Sequence, residues 1–195
     1  MRKTTKTAVL LAIAVILVAL PALAQKNELA IGAGGYFPVD LSGVGNAVAI
    51  EGSFAHRIAS VPLLSAYIEL PVVGTLNSSV SNPVLTSSAS YSALFVAPGL
   101  RVKFAPGFAV SPWLAAGGGL AHFSGNSGLR LLSGTDTTNT GVFDFGGGLD
   151  MKIAPYLSLR GSVRDFYSGG PGFNLATFNQ RQHNVVATAG LVLRF

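Results

Sequence analysis

His122 and Ser124 stand two residues apart, a spacing that puts both on one face of an extended strand. With Asp136 farther along the chain, they supply the residue types of acyl transfer: a nucleophile, a base and an orienting carboxylate. The alternative is a strand end running into an exposed loop, because Asp136 lies in a stretch of Gly, Ser and Thr. His56, His122 and His183 are far apart and lack metal-ligand spacing. The glycine clusters Gly32–Gly35, Gly117–Gly119 and Gly146/Gly148 have neither the following helix nor the tight turn of a phosphate-cradling loop. They are expected where the wall bends, or where Trp113 and the arginines need room. No catalytic, cofactor or metal residue is assigned, and no cofactor is expected.

The elements that must position these residues follow from composition and period. Of 195 residues, 11% are charged, 49% are hydrophobic, 24 are glycine and none is cysteine. Ordinary soluble domains carry about 25% charged residues, and disorder needs low hydrophobicity. The absence of cysteine excludes a disulfide framework and a thiolate nucleophile. Arg2, Lys3 and Lys6 precede the apolar run Ala8–Leu20. Pro21 and Ala22-Leu23-Ala24 then complete the pattern of a secretory signal peptide cleaved before Gln25. Residues 1–24 are thus read as signal peptide and 25–195 as the mature domain. Cleavage takes the net charge from +5 to +2. The mature chain has no Lys/Arg cluster, so no nucleic-acid partner is expected.

The mature chain alternates with period two, the signature of strands. At the C-terminus, His183, Val185, Ala187, Ala189, Leu191, Leu193 and Phe195 oppose Gln182, Asn184, Thr188 and Arg194. Similar alternation covers 27–37, 46–57, 63–73, 91–104, 141–153 and 156–167. The segment 107–123 is strand-like, with faces left unassigned. That makes eight candidate strands. Short turns fall near 58–62, at Pro106-Gly107 and at Ala154-Pro155. Longer polar stretches fall at 38–45, 75–90, 124–140 and 168–181. A soluble sandwich also alternates, but its outward face should be charged. Hydrocarbon gives backbone groups no partner, so spanning strands must close into a barrel. The expected fold is all-β: an eight-stranded antiparallel transmembrane β-barrel, with short turns and both termini on one side and longer loops on the other. Pro71, Pro98 and Pro112 fall inside candidate strands and predict bulges or strand ends.

The period also sends charges inward. Glu28, Glu51, Glu69, Asp144 and Asp150 are expected to face Arg101, Lys103, Lys152, Arg160, Arg164 and Arg194. They would form either a charged pore or a salt-bridge network. An eight-stranded barrel is only wide enough for its own side chains, and buried charges must be paired. The network is the favoured expectation.

On these residues the chain resembles the small outer-membrane β-barrel superfamily, which includes OmpX and the membrane domain of OmpA. The likeness rests on Val110-Ser111-Pro112-Trp113-Leu114-Ala115-Ala116-Gly117-Gly118-Gly119-Leu120, on Ala154-Pro155-Tyr156 with Leu157-Ser158-Leu159-Arg160, and on the alternating terminal strand ending in Phe195. It implies a bacterial outer-membrane location, outer-membrane lipid and lipopolysaccharide as surroundings, and recognition by the assembly machinery through the strand ending at Phe195. It also implies a monomeric barrel without the periplasmic peptidoglycan-binding domain that some relatives append. The family includes structural proteins, adhesins and a few enzymes. Some members that remove acyl chains from lipid A carry His-x-Ser on a strand with a Glu as the acid. Here the acid is Asp136, and Gly125 stands where an Asn follows the Ser. The expectation is a non-enzymatic structural or surface-interaction protein. The alternatives are an acyl hydrolase using His122 and Ser124, or a narrow channel.

N-terminal sequencing of the protein from fractionated cells should begin at Gln25 in the outer-membrane fraction. Retention of Met1, or recovery in the soluble periplasm, would overturn the export reading.

Overall fold

The computed structural model describes residues 26–39, 45–76, 78–80, 89–125, 137–169 and 181–195. The segment 1–24 and Asp136 lie outside them, as do parts of the four long polar stretches. Ten strand segments are present: β1 (Asn27–Pro38), β2 (Ala47–Val61), β3 (Leu64–Leu76), β4 (Ser78–Val80), β5 (Ala89–Val96), β6 (Gly99–Phe104), β7 (Val110–Gly125), β8 (Thr137–Ala154), β9 (Leu157–Ser168) and β10 (Gln182–Arg194). They make eight staves. The short β4 extends β3 along the partner β5, and β5 and β6 are two parts of one stave interrupted at Ala97-Pro98. Each stave pairs antiparallel with its chain neighbours, and β1 pairs with β10, so the sheet closes on itself. At the seam the Asn27 amide donates to the Phe195 carbonyl at 2.8 Å and the Phe195 amide to Asn27 at 3.0 Å.

The register fixes the width. Stepping across the ladder from Phe37 leads through Val185, Asp165, Phe145, Ala116, Leu100, Ile68 and His56, and returns to β1 at Asn27. The stagger is therefore the ten residues between Phe37 and Asn27. With ordinary strand spacings it tilts the strands by roughly 40°, leaving an interior that side chains alone can fill.

The face assignments made from the period match the observed burial in every strand where they were made. Leu29, Ile31, Ile50, Leu70 and Leu100 are exposed on the outside. Glu28, Glu51, Glu69, Arg101, Arg160 and Arg164 are buried inside. Lys152 is the exception. It keeps its register with Ser158 but is exposed, because it lies at the rim, one residue past the last β7–β8 pair, Val110 with Met151. In β7, whose faces the sequence left open, Trp113 points inward and Leu114 and Leu120 outward. The turn expected near 58–62 is tighter, at Pro62-Leu63, because Ala59, Ser60 and Val61 still pair with Ala66, Ser65 and Leu64.

The prolines sit where the ladder can spare a donor. Pro71 accepts from the Ala97 amide at 3.3 Å and Pro98 from the Gly118 amide at 3.1 Å. These two prolines on neighbouring staves coincide with the break between β5 and β6. Pro112 lies one residue past the last β6–β7 pair, Lys103 with Trp113. No register shift occurs at Pro71 or Pro112; the shifts are at Arg57/Ala59 and Lys152/Ala154.

Gly148 makes room for the indole. A Cβ there would run into the Gly161 carbonyl oxygen on the neighbouring strand and come within 2.7 and 2.9 Å of two Trp113 ring carbons, whereas one on Gly161 would meet nothing within 4 Å. Overpacking a filled interior costs about 1–3 kcal/mol. Gly148→Ala should therefore lower the urea midpoint of the barrel in a fixed lipid, and Gly161→Ala should leave it within about 0.5 kcal/mol of wild type. Equal midpoints for the two variants would mean that the indole and the β9 backbone leave room for a side chain at Gly148.

Candidate functional site

The lumen has two layers. In the half nearer the short turns, five carboxylates and five cations form one connected network. Arg101 bonds Glu28 and, at 3.2 Å, Glu69. Lys103 bridges Glu28 at 2.5 Å and Asp150 at 2.6 Å. Arg160 grips Asp150 with two hydrogen bonds of 2.7 and 2.9 Å and reaches Glu28 at 3.2 Å. Arg164 joins Asp144 at 2.6 Å, Glu69 at 2.7 Å and Glu51 at 3.3 Å. Arg194 approaches Glu28 at 3.3 Å and Asp150 at 3.7 Å. Ser162 and Thr188 hydroxyls donate to the remaining oxygen of Glu51. Trp113 stands among the arginines, with its ring 5.1 Å from the Arg160 guanidinium, 5.2 Å from that of Arg164 and 5.7 Å from that of Arg101. The expected network is present, with Lys152 the one proposed member outside it.

The half nearer the long connections is apolar. Phe95 stacks on Phe166 at 4.8 Å and meets Phe123 edge-on at 5.8 Å. Tyr36, Tyr91, Val73, Val142 and Val186 pack around them. A polar lid follows: the Tyr36 hydroxyl donates to the Asn184 side-chain oxygen at 2.6 Å and lies 3.2 Å from that of Tyr91. Gln182 also donates to Asn184, at 2.8 Å. This layer was missed in the sequence. Its signal was the period itself: Phe95 shares parity with Arg101, and Phe166 with Arg164. Phe123 shares parity with Trp113, in the strand whose faces were left open.

His122 lies on the outside of β7, on the same strand face as Ser124. Its Nδ1 is 2.7 Å from the amide oxygen of Asn139 on β8. An orienting carboxylate takes that position in a triad; here an amide occupies it. Asp136 lies outside the described residues. Among those residues no cluster of His, Asp and Glu is arranged to hold a metal ion.

No protein-family model matches the chain, and no curated protein sequence does either. Solved structures do match. The attachment invasion locus protein Ail of Yersinia pestis aligns with a TM-score of 0.56 at 12% identity, over 88% of this chain and 99% of that one. A major outer membrane protein from Thermus thermophilus aligns at 0.57 and 17%, over 88% and 100%. Neisserial surface protein A aligns at 0.54 and 14%, over 87% and 95%. Ail has also been solved in complex with the heparin analogue sucrose octasulfate. The fold is thus the eight-stranded barrel of small outer-membrane proteins.

Arg160→Ala strands Asp150 and Glu28 among the remaining charges, a loss of about 3–5 kcal/mol. Leu191→Ala changes a half-exposed outer side chain and leaves no charge unpaired. Urea titration in one lipid should give the lower midpoint for Arg160→Ala. If Leu191→Ala is the more damaging, the face assignment is wrong.

Proposed function

We propose that this protein is a non-enzymatic barrel of the bacterial outer membrane that holds four long loops on the cell surface in a structural or surface-interaction role. The observation that carries this reading is the doubly filled lumen. Ion pairs occupy one half and stacked aromatics the other, so what remains for interaction is the loop end and the outer wall. The protein is exported with cleavage after Ala24. It is handed to the assembly machinery through the strand ending at Phe195, and it resides as a monomer among outer-membrane lipid and lipopolysaccharide. The closed ladder supports the monomer, because it leaves no strand edge for a second copy. The fold shared with Ail, which holds a sulfated sugar in one structure, supports a surface role.

The filled lumen weighs against a narrow channel. The Asn139 amide on His122 Nδ1 weighs against the acyl hydrolase, since an amide stabilises an imidazolium less than a carboxylate does.

In planar bilayers the purified barrel should produce no steady stepwise conductance, and incubation with lipopolysaccharide should release no fatty acid. Protease added to intact cells should cut within 75–90, 124–140 or 168–181 and spare Pro106-Gly107. Stepwise current would establish the channel, released fatty acid that disappears in Ser124→Ala the hydrolase, and cleavage at Pro106-Gly107 an inverted topology.

A further inference from the structure

One group of polar side chains lies on the outer wall, apart from the lumen and from His122. It sits on β9 and β10 at the end away from the termini. His183 donates from Nδ1 to Asp165 at 2.5 Å. The His183 ring lies 4.7 Å from that of Tyr167, and the Arg181 guanidinium stands 5.9 Å from the Tyr167 ring centre. Beside them runs an open groove of about 480 Å³, lined by Thr140, Phe143, Tyr167, Ser168, Gly169 and Arg181.

The height of this group follows from its chemistry. Phe145 on β8 stands directly across from Asp165, and the next outward residue of β9 toward the termini is Val163; both are exposed and apolar. Charges on a barrel's lipid face are costly at mid-membrane and nearly free at the interface. An outward carboxylate paired with a histidine therefore marks where hydrocarbon gives way to headgroups. Tyr167 is an interfacial belt residue at that boundary, and Arg181 lies just beyond it, exposed. The Asp165 charge is engaged by His183, while the Arg181 guanidinium is presented to the groove. A guanidinium is suited to bidentate contact with phosphate, and a groove of this size suits a phosphorylated sugar.

The geometry points to a binding site for a phosphorylated lipid headgroup of the outer leaflet, with Arg181 holding the phosphate and Tyr167 and the His183–Asp165 pair positioning it. The site rests on the outer-membrane reading above and adds a ligand class to it. The headgroup approaches from the membrane side, where Phe143 and Arg181 of the lining are exposed, while Val142 and Ser168 close the groove toward the lumen.

The test uses the mature barrel in phosphatidylcholine nanodiscs containing a small fraction of bis-phosphorylated lipid A. Lipid A retained after transfer to mild detergent is counted by native mass spectrometry. Arg181→Gln should lower retention about tenfold or more, the value of one charge-assisted phosphate contact. Lys152→Gln, which removes an exposed cation at the opposite end, should retain lipid A like wild type. Lipid A lacking its phosphates should not be retained. Equal retention by Arg181→Gln and wild type overturns the site, as does an equal loss in Lys152→Gln. Equal retention of the dephosphorylated lipid also overturns it, and so does displacement of lipid A by free pyrophosphate, which would make the site one for soluble phosphate. Fractionation decides the outer-membrane reading separately: a protein found in that membrane whose Arg181→Gln variant keeps its lipid A refutes the site alone.

Discussion

A strand in hydrocarbon must have both edges paired, since lipid offers its amides and carbonyls nothing. In this chain that requirement is met at one seam, β1 against β10, where the first and last strands of the barrel join from Glu28–Arg194 to Pro38–Asn184. The stagger set by the ladder fixes the tilt, the tilt fixes the bore, and the bore admits side chains only. The two-layer lumen follows from that geometry.

The layers are both built by all the staves. Glu28, Glu51, Glu69, Arg101, Trp113, Asp144, Arg160 and Arg194 bring one or more residues from each stave to the ionic half. Tyr36, Ala49, Val73, Phe95, Phe123, Val142, Phe166 and Val186 do the same for the aromatic half. The ionic layer works because its signs balance and because each guanidinium meets more than one carboxylate. A charge left unmatched there would cost several kcal/mol. The aromatic layer needs no partners beyond contact, apart from the tyrosine hydroxyls, which are met by Asn184 and by each other.

The sequence made the barrel legible because period two is a direct consequence of strand geometry, and Glu28, Leu29, Arg160 and Leu159 sort themselves without further information. The ionic partners were legible as a set. Their pairing was not, because Glu28 meets Arg101, Lys103, Arg160 and Arg194 only after closure brings distant strands together. Lys152 has the inward parity and pairs with Ser158, but parity carries no information about where the wall ends, and Lys152 lies at the rim past the last β7–β8 pair. The aromatic half was overlooked for a different reason. Phe95 stands between Leu94 and Val96, so hydrophobicity alone cannot say which way it points, and Phe166 stands beside Asp165, whose charge argues for the wrong face; only the parity shared with Arg101 and Arg164 sends both rings inward. The groove beside Arg181 could not be read either, since Thr140, Tyr167 and Arg181 meet across three strands.

Buried ion pairs are a weak source of net stability, because desolvation offsets most of what pairing gains. Their stronger contribution here is to register. A slip of one residue in any stave would turn its inward side chains outward. For β9 that would place Arg160 and Arg164 in hydrocarbon, at about 2–4 kcal/mol each near mid-membrane. A slip of two residues keeps the faces but moves Arg160 away from Asp150 and Arg164 away from Asp144, leaving charges unmatched. The aromatic layer penalises a one-residue slip less sharply, since Phe166 or Val186 facing lipid loses little. The ionic half is therefore the part of the lumen that selects one ladder among the closed alternatives, and the aromatic half fills the bore that this ladder defines.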